Sequence, residues 1–227
     1  MLANGPDSFI WWEWVGDHTD DIWARTIEHL QLTGSSVAIG FVIAMAMAMA
    51  SLRWRGAYGP LAALSGGLYS IPSLALFGFL VPITGLGFRT AQIALVSYTL
   101  LILLRNIVAG IDAVPSSVIE AADGMGYEPW RRFLAVDLRL AVPAIIGGLR
   151  VATVTVIGLV TVAALVGSGG YGVFIDDGLS RASGFSTPIV VGGALSIAMA
   201  VAFDVAFVLL QRAVTPWARA ARPGAAT

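Results

Sequence analysis

The chain of 227 residues is 57% hydrophobic and only 12% charged, with mean hydropathy +0.83, which leaves too little polar surface to coat a water-soluble globule and places it among membrane proteins. Its formal net charge of -1 says less than the placement of its thirteen cations, all of them Arg, because placement rather than sum sets membrane orientation. The lack of Cys excludes disulfides, thiolate metal sites and cysteine nucleophiles, and the two His, His18 and His29, both fall in the polar amino-terminal stretch, so no metal or redox chemistry is expected.

That stretch, residues 1–29, has no basic signal-like region and carries Asp7, Glu13, Asp17, Asp20, Asp21 and Glu28. It is expected to be retained as an external, interfacial segment. A hydrocarbon core takes about 20 apolar residues per helix, and five runs qualify: 30–52, 58–82, 90–110, 140–166 and 187–211. Backbone groups cannot stay unpaired in lipid, so each run is expected to be helical, giving an all-α polytopic fold with the termini on opposite sides. Arg53 and Arg55 follow span 1, Arg131, Arg132 and Arg139 separate spans 3 and 4, and Arg212, Arg219 and Arg222 follow span 5, whereas the other flanks hold Arg25, Arg89 and Arg181. The amino terminus is therefore expected outside and the carboxyl terminus inside. Trp11, Trp12, Trp14, Trp23, Trp54 and Trp217 are expected to anchor at the interfaces.

In chain order, span 1 carries Gly34, Ser35, Ser36 and Gly40, small residues of the kind that let helix backbones approach closely. Span 2 carries Gly66, Gly67 and then Ser70-Ile71-Pro72-Ser73, where Pro72 removes a backbone donor and should kink the helix. The freed carbonyls there, with Ser70, are candidates for a solute pathway or for a simple packing kink. Span 3 offers Ser97 and Tyr98, and span 4 offers Thr153, Thr155 and Thr161, hydroxyls that either line a pathway or bond their own helix.

Between spans 3 and 4, residues 111–139 form the largest cytoplasmic loop. Pro115 fits a first turn, Ser117 with Glu120 fits a capping box, and Gly124 and Gly126 can end the helix. Val118, Ala121, Ala122 and Met125 share one face of this short amphipathic helix, which has no evident core of its own to cover and so is suited to dock on a soluble partner.

After span 4, Gly167, Gly169 and Gly172 spell G-x-G-x-x-G, but they follow an apolar helix rather than a strand, so a flexible outer turn or gate is expected rather than a nucleotide site. Arg150 lies about 10 Å inward of Pro143, and Asp204 about 10 Å from the inner end of span 5. Equal depth makes them an expected intramembrane ion pair between spans 4 and 5, structural rather than substrate-binding. No aromatic cage for a quaternary ammonium is evident within the spans. With no Lys in the chain there can be no Walker A loop, so the chain is expected to be non-catalytic.

The string Glu120-Ala121-Ala122, then Gly126 at the seventh position, Val136 ten residues later and Pro143, resembles the EAA loop of type I ABC importer permeases. Ser70-Ile-Pro-Ser-Leu-Ala-Leu-Phe77, Leu104-Arg-Asn106, Gly148-Leu-Arg150 and Gly167-Ser-Gly-Gly-Tyr-Gly172 are similar to the osmoprotectant branch, which imports glycine betaine, choline or carnitine. The resemblance spans residues 30–215, which it implies to be the transmembrane domain, with 216–227 a cytoplasmic tail. It implies that Glu120, Ala121, Ala122, Met125 and Gly126 couple to a cytoplasmic ATPase dimer that uses ATP and Mg, with no cofactor on this chain. It also implies an extracytoplasmic binding protein, a second permease subunit, identical or related, and a place in the bacterial cell membrane. The family often has Leu-Pro where Leu138-Arg139 stands, so span 4 is expected to begin with less of a kink. Alternatives are an amino-acid or methionine importer permease, or, in another class, a stand-alone channel or ion-coupled carrier.

Overall fold

The computed structural model describes residues 9–181 and 185–216, so Asp7, Trp217, Arg219, Arg222 and the tail beyond 216 lie outside the described residues. Every regular element among the described residues is helical. A short α1 (Trp12–Asp17) leads into the 35-residue α2 (Thr19–Arg53). Asp20 and Asp21 occupy the first turn of α2, where negative charge offsets the helix dipole. The helix of span 1 thus starts at Thr19 rather than near residue 30, and residues 19–29 of the polar stretch form its first three turns.

Span 2 is two helices, α3 (Tyr58–Ser70) and α4 (Ser73–Thr84), set at 97° to each other. The expected kink is therefore a break. Pro72 drives Ile71 into extended backbone at φ -69°, ψ 129° and itself caps α4, whose Leu76 N–H donates to the Pro72 carbonyl at 3.0 Å. Next come α5 (Phe88–Asp112), the loop helices α6 (Ser116–Gly124) and α7 (Pro129–Arg132), and α8 (Leu138–Val162). A π-turn at Phe133–Asp137 joins α7 to α8, so the helix runs on where the family's proline would interrupt it. Finally α9 (Gly172–Ser180) precedes α10 (Ser186–Val214).

Helix α5 is the hub. Of its most apolar stretch 61% is buried, against 6% for α10, so α5 organises the bundle and α10 lies at its margin. One layer gathers Leu32, Phe77, Leu95, Tyr98 and Val160, and a second gathers Ala44, Leu104, Ile107, Ala141 and Ile145. Helices α2 and α5 run parallel, with Gln92 Nε2 donating to Ser35 Oγ at 2.9 Å near one end and Arg55 bonding Asp112 at 2.9 Å at the other. Helix α8 runs the opposite way, since Gly87 N–H bonds the Val166 carbonyl at 2.7 Å. The broken α3–α4 unit therefore links the loop end of the bundle to its amino-terminal end as one crossing. The backbone N–H of Trp11 reaches Thr187 Oγ1 at 2.8 Å, while Gln211 lies against the Pro143 carbonyl at 3.5 Å. The two ends of the described chain thus sit at opposite ends of the bundle.

Trp12, Trp23 and Trp54 are exposed, as anchors require, but Trp14 is not. It is buried against Phe174, Phe185 and His18, fastening α1 to α9. The small residues also divide. A Cβ on Gly40 would fall 1.8 Å from Thr99 Oγ1, and one on Gly192 would fall 2.7 Å from the Tyr171 carbonyl, whereas Gly34, Gly67 and Gly193 face open space within 4 Å. Close approach is thus confined to Gly40 and Gly192 among those residues, with Gly110 and Gly148 doing the same for α8.

Overpacking a closed contact costs about 1–3 kcal/mol. Gly192→Val is therefore expected to lower the thermal midpoint of the detergent-solubilised chain, whereas Gly193→Val leaves it unchanged. Equal midpoints for the two variants would contradict this packing.

Candidate functional site

The loop between α5 and α8 folds back on itself through Gly126. Pro115, at φ -61° and ψ 136°, ends the connection from α5 and caps α6, accepting from Val118 N–H at 3.0 Å. The expected capping box does not form: no side chain caps α6, because the helix already begins at Ser116 and Ser117 lies inside its first turn. At the other end, Gly126 adopts φ +80°, its N–H donates to the Asp123 carbonyl at 2.9 Å, and Tyr127 N–H donates to the Ala122 carbonyl at 3.2 Å. This is a Schellman closure, and it needs a left-handed residue where Gly126 stands. Glycine is required there by conformation rather than space, since a Cβ would meet nothing within 4 Å.

The apolar face of α6 divides. Ala122 is buried at 2% exposure and Val118 and Ile119 are half-buried, so the helix does have a side resting on its own chain. Glu120 and Ala121 are exposed, and Met125, Trp130 and Leu134 are large apolar side chains turned outward, at 70%, 59% and 48% exposure. Ala122 thus supports the helix from beneath, and Ala121 with Met125 forms its outer surface. Trp130 stacks on Phe133 with ring centroids 5.7 Å apart.

Sequence reasoning missed the residue that holds this loop in place. Arg132 Nη1 contacts both oxygens of Asp123, at 2.8 and 2.7 Å, and its Nε lies 3.6 Å from Asp137 Oδ2. Asp137 is buried at 6% exposure inside the π-turn. Arg132 therefore ties the end of α6 to the start of α8. The spacing of Asp123, Arg132 and Asp137 fits no single helix, and only the reversal at Gly126 brings them together.

The other sequence-selected residues scatter. Ser70 Oγ donates to the Gly67 carbonyl at 2.8 Å and Ser97 Oγ to the Ile93 carbonyl at 2.8 Å, each within its own helix. Tyr98 is buried, and its hydroxyl donates at 2.6 Å to the Ile71 carbonyl, the group exposed by the break at Pro72. Tyr98 and Pro72 thus act together, with Ser97 apart from them. Arg150 and Asp204 do meet: Arg150 Nη2 lies 2.8 Å from Asp204 Oδ2, and Arg150 Nε makes a second contact with Oδ1. Arg105 is exposed on α5 and takes no part in that pair.

The glycine turn after α8, expected to be a flexible outer turn or gate, is closely packed in this structure. A Cβ on Gly169 would fall 2.1 Å from Ala164 N, one on Gly172 2.0 Å from the Thr161 carbonyl, and one on Gly170 2.6 Å from His29 Cβ. Behind the turn, fully buried His29 faces the Ile157 carbonyl through Nε2 at 3.1 Å and receives Tyr171 N–H at Nδ1 at 3.4 Å. Both contacts are met by the neutral imidazole carrying its proton on Nε2. Ser168 donates to Glu28 and the Tyr171 hydroxyl to Thr26, each at 2.8 Å. This latch between α2 and the turn was hidden because His29 and Glu28 sit in a stretch that composition marks as polar exterior.

Residues 36–219 match the family described as binding-protein-dependent transport system inner membrane component. The chain is 32% identical to the glycine betaine/carnitine/choline transport system permease protein OpuCB of Bacillus subtilis, over 85% of this chain and 88% of that protein. It is 32% identical to the osmoprotectant import permease protein OsmW of Salmonella typhimurium, over 88% and 94% of the two chains. In fold it is similar to a chain of the MetNI methionine ABC transporter in an inward-facing conformation, with TM-score 0.74 at 22% identity, covering 86% of this chain and 94% of that one.

A side chain forced into left-handed backbone costs about 1–2 kcal/mol, a factor of about 5–30 in a local opening equilibrium. Gly126→Ala is expected to speed amide hydrogen exchange across residues 116–125 by that factor while leaving α5 and α8 unchanged. Unaltered exchange in α6 would show that the closure does not depend on glycine.

Proposed function

Because the chain belongs to the family of binding-protein-dependent transport system inner membrane components, we propose that it forms one permease half of an ATP-driven importer for quaternary-amine osmoprotectants such as glycine betaine, choline or carnitine. The curated relatives it matches over most of its length carry those solutes in their names, which supports the choice of class. The observation that carries the coupling role is the outward set of Glu120, Ala121 and Met125 on a helix braced by Arg132 and closed by Gly126.

In this reading α6 seats in a cleft of a cytoplasmic ATPase dimer. The ATPase binds ATP and Mg, and this chain contributes no catalytic group. When the ATPase subunits close, α6 is carried with them, and Arg132 passes the displacement from Asp123 to Asp137 at the root of α8. The bundle then opens toward an extracytoplasmic binding protein, which delivers the solute. A second permease subunit, identical or related, completes the pathway. The loop end lies in the cytoplasm and residue 9 outside, in the inner membrane of a bacterium, in keeping with the Arg on the loop side.

The lack of Cys permits single-site crosslinking without removing native thiols. Met125→Cys is expected to crosslink to the ATPase subunit and Ala122→Cys is not, because Ala122 is only 2% exposed. Uptake of labelled glycine betaine is expected to require the ATPase and the binding protein. Uptake that persists without the ATPase, or a Met125→Cys chain that captures no ATPase, would overturn the proposal.

A further inference from the structure

The pair formed by Arg150 and Asp204 is only partly sheltered, with side chains 40% and 34% exposed. It lies about 18 Å along α8 from Leu138 and about 15 Å along α10 from Val214, well inside the span of both helices. The exposed side opens into a cavity of about 480 Å³ lined by Asn106, Gly147, Val151, Val154 and Thr155, within the usual volume range of small-molecule sites, roughly 300–1,000 Å³. Charged groups at this depth are strongly disfavoured against hydrocarbon, so this wall faces water or protein rather than lipid.

The chemistry of the pair is incomplete. A guanidinium carries five N–H donors and this one gives two to Asp204, while the carboxylate retains unused acceptor sites. A surface offering a positive fork and a negative group side by side matches a solute that carries both charges. A fully methylated ammonium needs no hydrogen-bond acceptor, only a negative or aromatic neighbour, and no aromatic residue lines this cavity.

We infer that Arg150 and Asp204 form a zwitterion-reading contact on the solute pathway, Arg150 taking the solute carboxylate and Asp204 its quaternary ammonium. The inference rests on the osmoprotectant reading above. In the empty pathway the two side chains satisfy each other, and the arriving solute substitutes one charge-assisted contact for another at each of them. The exchange is nearly balanced, so the solute is held weakly enough to leave, as conduction requires. Asn106, on the same wall, supplies a neutral polar group beside the pair.

Two measurements on the assembled importer in membrane vesicles test this. In the first, Val151→Cys, with Arg150 and Asp204 intact, is exposed to a water-soluble trimethylammonium thiol reagent. Labelling is expected, and saturating glycine betaine is expected to slow it. A thiol that stays unlabelled with and without ATP, as it would if buried against the second permease subunit, or a rate indifferent to solute, overturns the inference. In the second, Arg150→Gln is expected to reduce glycine betaine uptake about tenfold, the weight of one charge-assisted hydrogen bond, and choline uptake less than about threefold, because choline has no carboxylate. Equal losses for the two solutes overturn the inference. A wild-type importer that carries none of glycine betaine, carnitine and choline would instead overturn the functional reading on which the inference rests.

Discussion

Helices in hydrocarbon gain little by hiding apolar surface from one another, so what holds this bundle together is the close approach of backbones at a few small residues around α5. Gly40 admits Thr99 where no Cβ fits, Gly148 does the same for Asn106, and Gly110 meets Ala141 and Ala144. These contacts lock α2, α5 and α8 into one unit, and α3–α4 and α10 are arranged around it. Some polar groups of the bundle are met locally, Ser65 by the Leu61 carbonyl, Ser51 by the Met47 carbonyl and His29 by α8 and the turn beyond it, whereas the hydroxyls of Thr33, Ser36 and Thr153 are buried without a hydrogen-bond partner among the described residues. Each such bond keeps a group that water cannot reach from standing alone.

The loop is fastened to this unit. Arg132 joins α6 to the root of α8, and α8 is packed along α5 from Gly110 to Val166. A displacement of α6 is therefore not absorbed in a slack connection. Two irregular points separate them, the reversal at Gly126 and the π-turn at Phe133–Asp137, in which buried Asp137 sits. Marginal α10, by contrast, meets α8 through the Arg150–Asp204 pair and α9 through Gly192, which leaves much of its apolar surface for lipid or another chain.

How much was legible in the sequence depends on whether the relevant geometry is that of a straight helix. Five apolar crossings could be read from length alone, and the depths of Arg150 and Asp204 could be compared because 1.5 Å per residue holds along α8 and α10. The outer limits of α6 were readable from Pro115 and Gly126, whose backbone restrictions are intrinsic. What could not be read was set by contacts between distant segments. Pro72 announces a lost donor, but the 97° angle is fixed by how α3, α4 and α5 meet. Trp14 looks like an interfacial anchor until Phe174 and Phe185 close around it. The glycines after α8 suggest looseness, and only the proximity of Ala164, His29 and Thr161 shows that Gly169, Gly170 and Gly172 are small because there is no room.

The broken second crossing also bears on how the chain is made. Neither arm, 13 and 12 residues long, spans a hydrocarbon core unaided, at about 1.5 Å per residue against a thickness of about 30 Å. Synthesis delivers Ile71 before Tyr98, so the elbow's bare carbonyl has no phenol to receive until the next segment has entered the bilayer. The backbone of residues 58–84 is therefore fully bonded only once the third crossing stands beside it, so the second and third crossings complete each other.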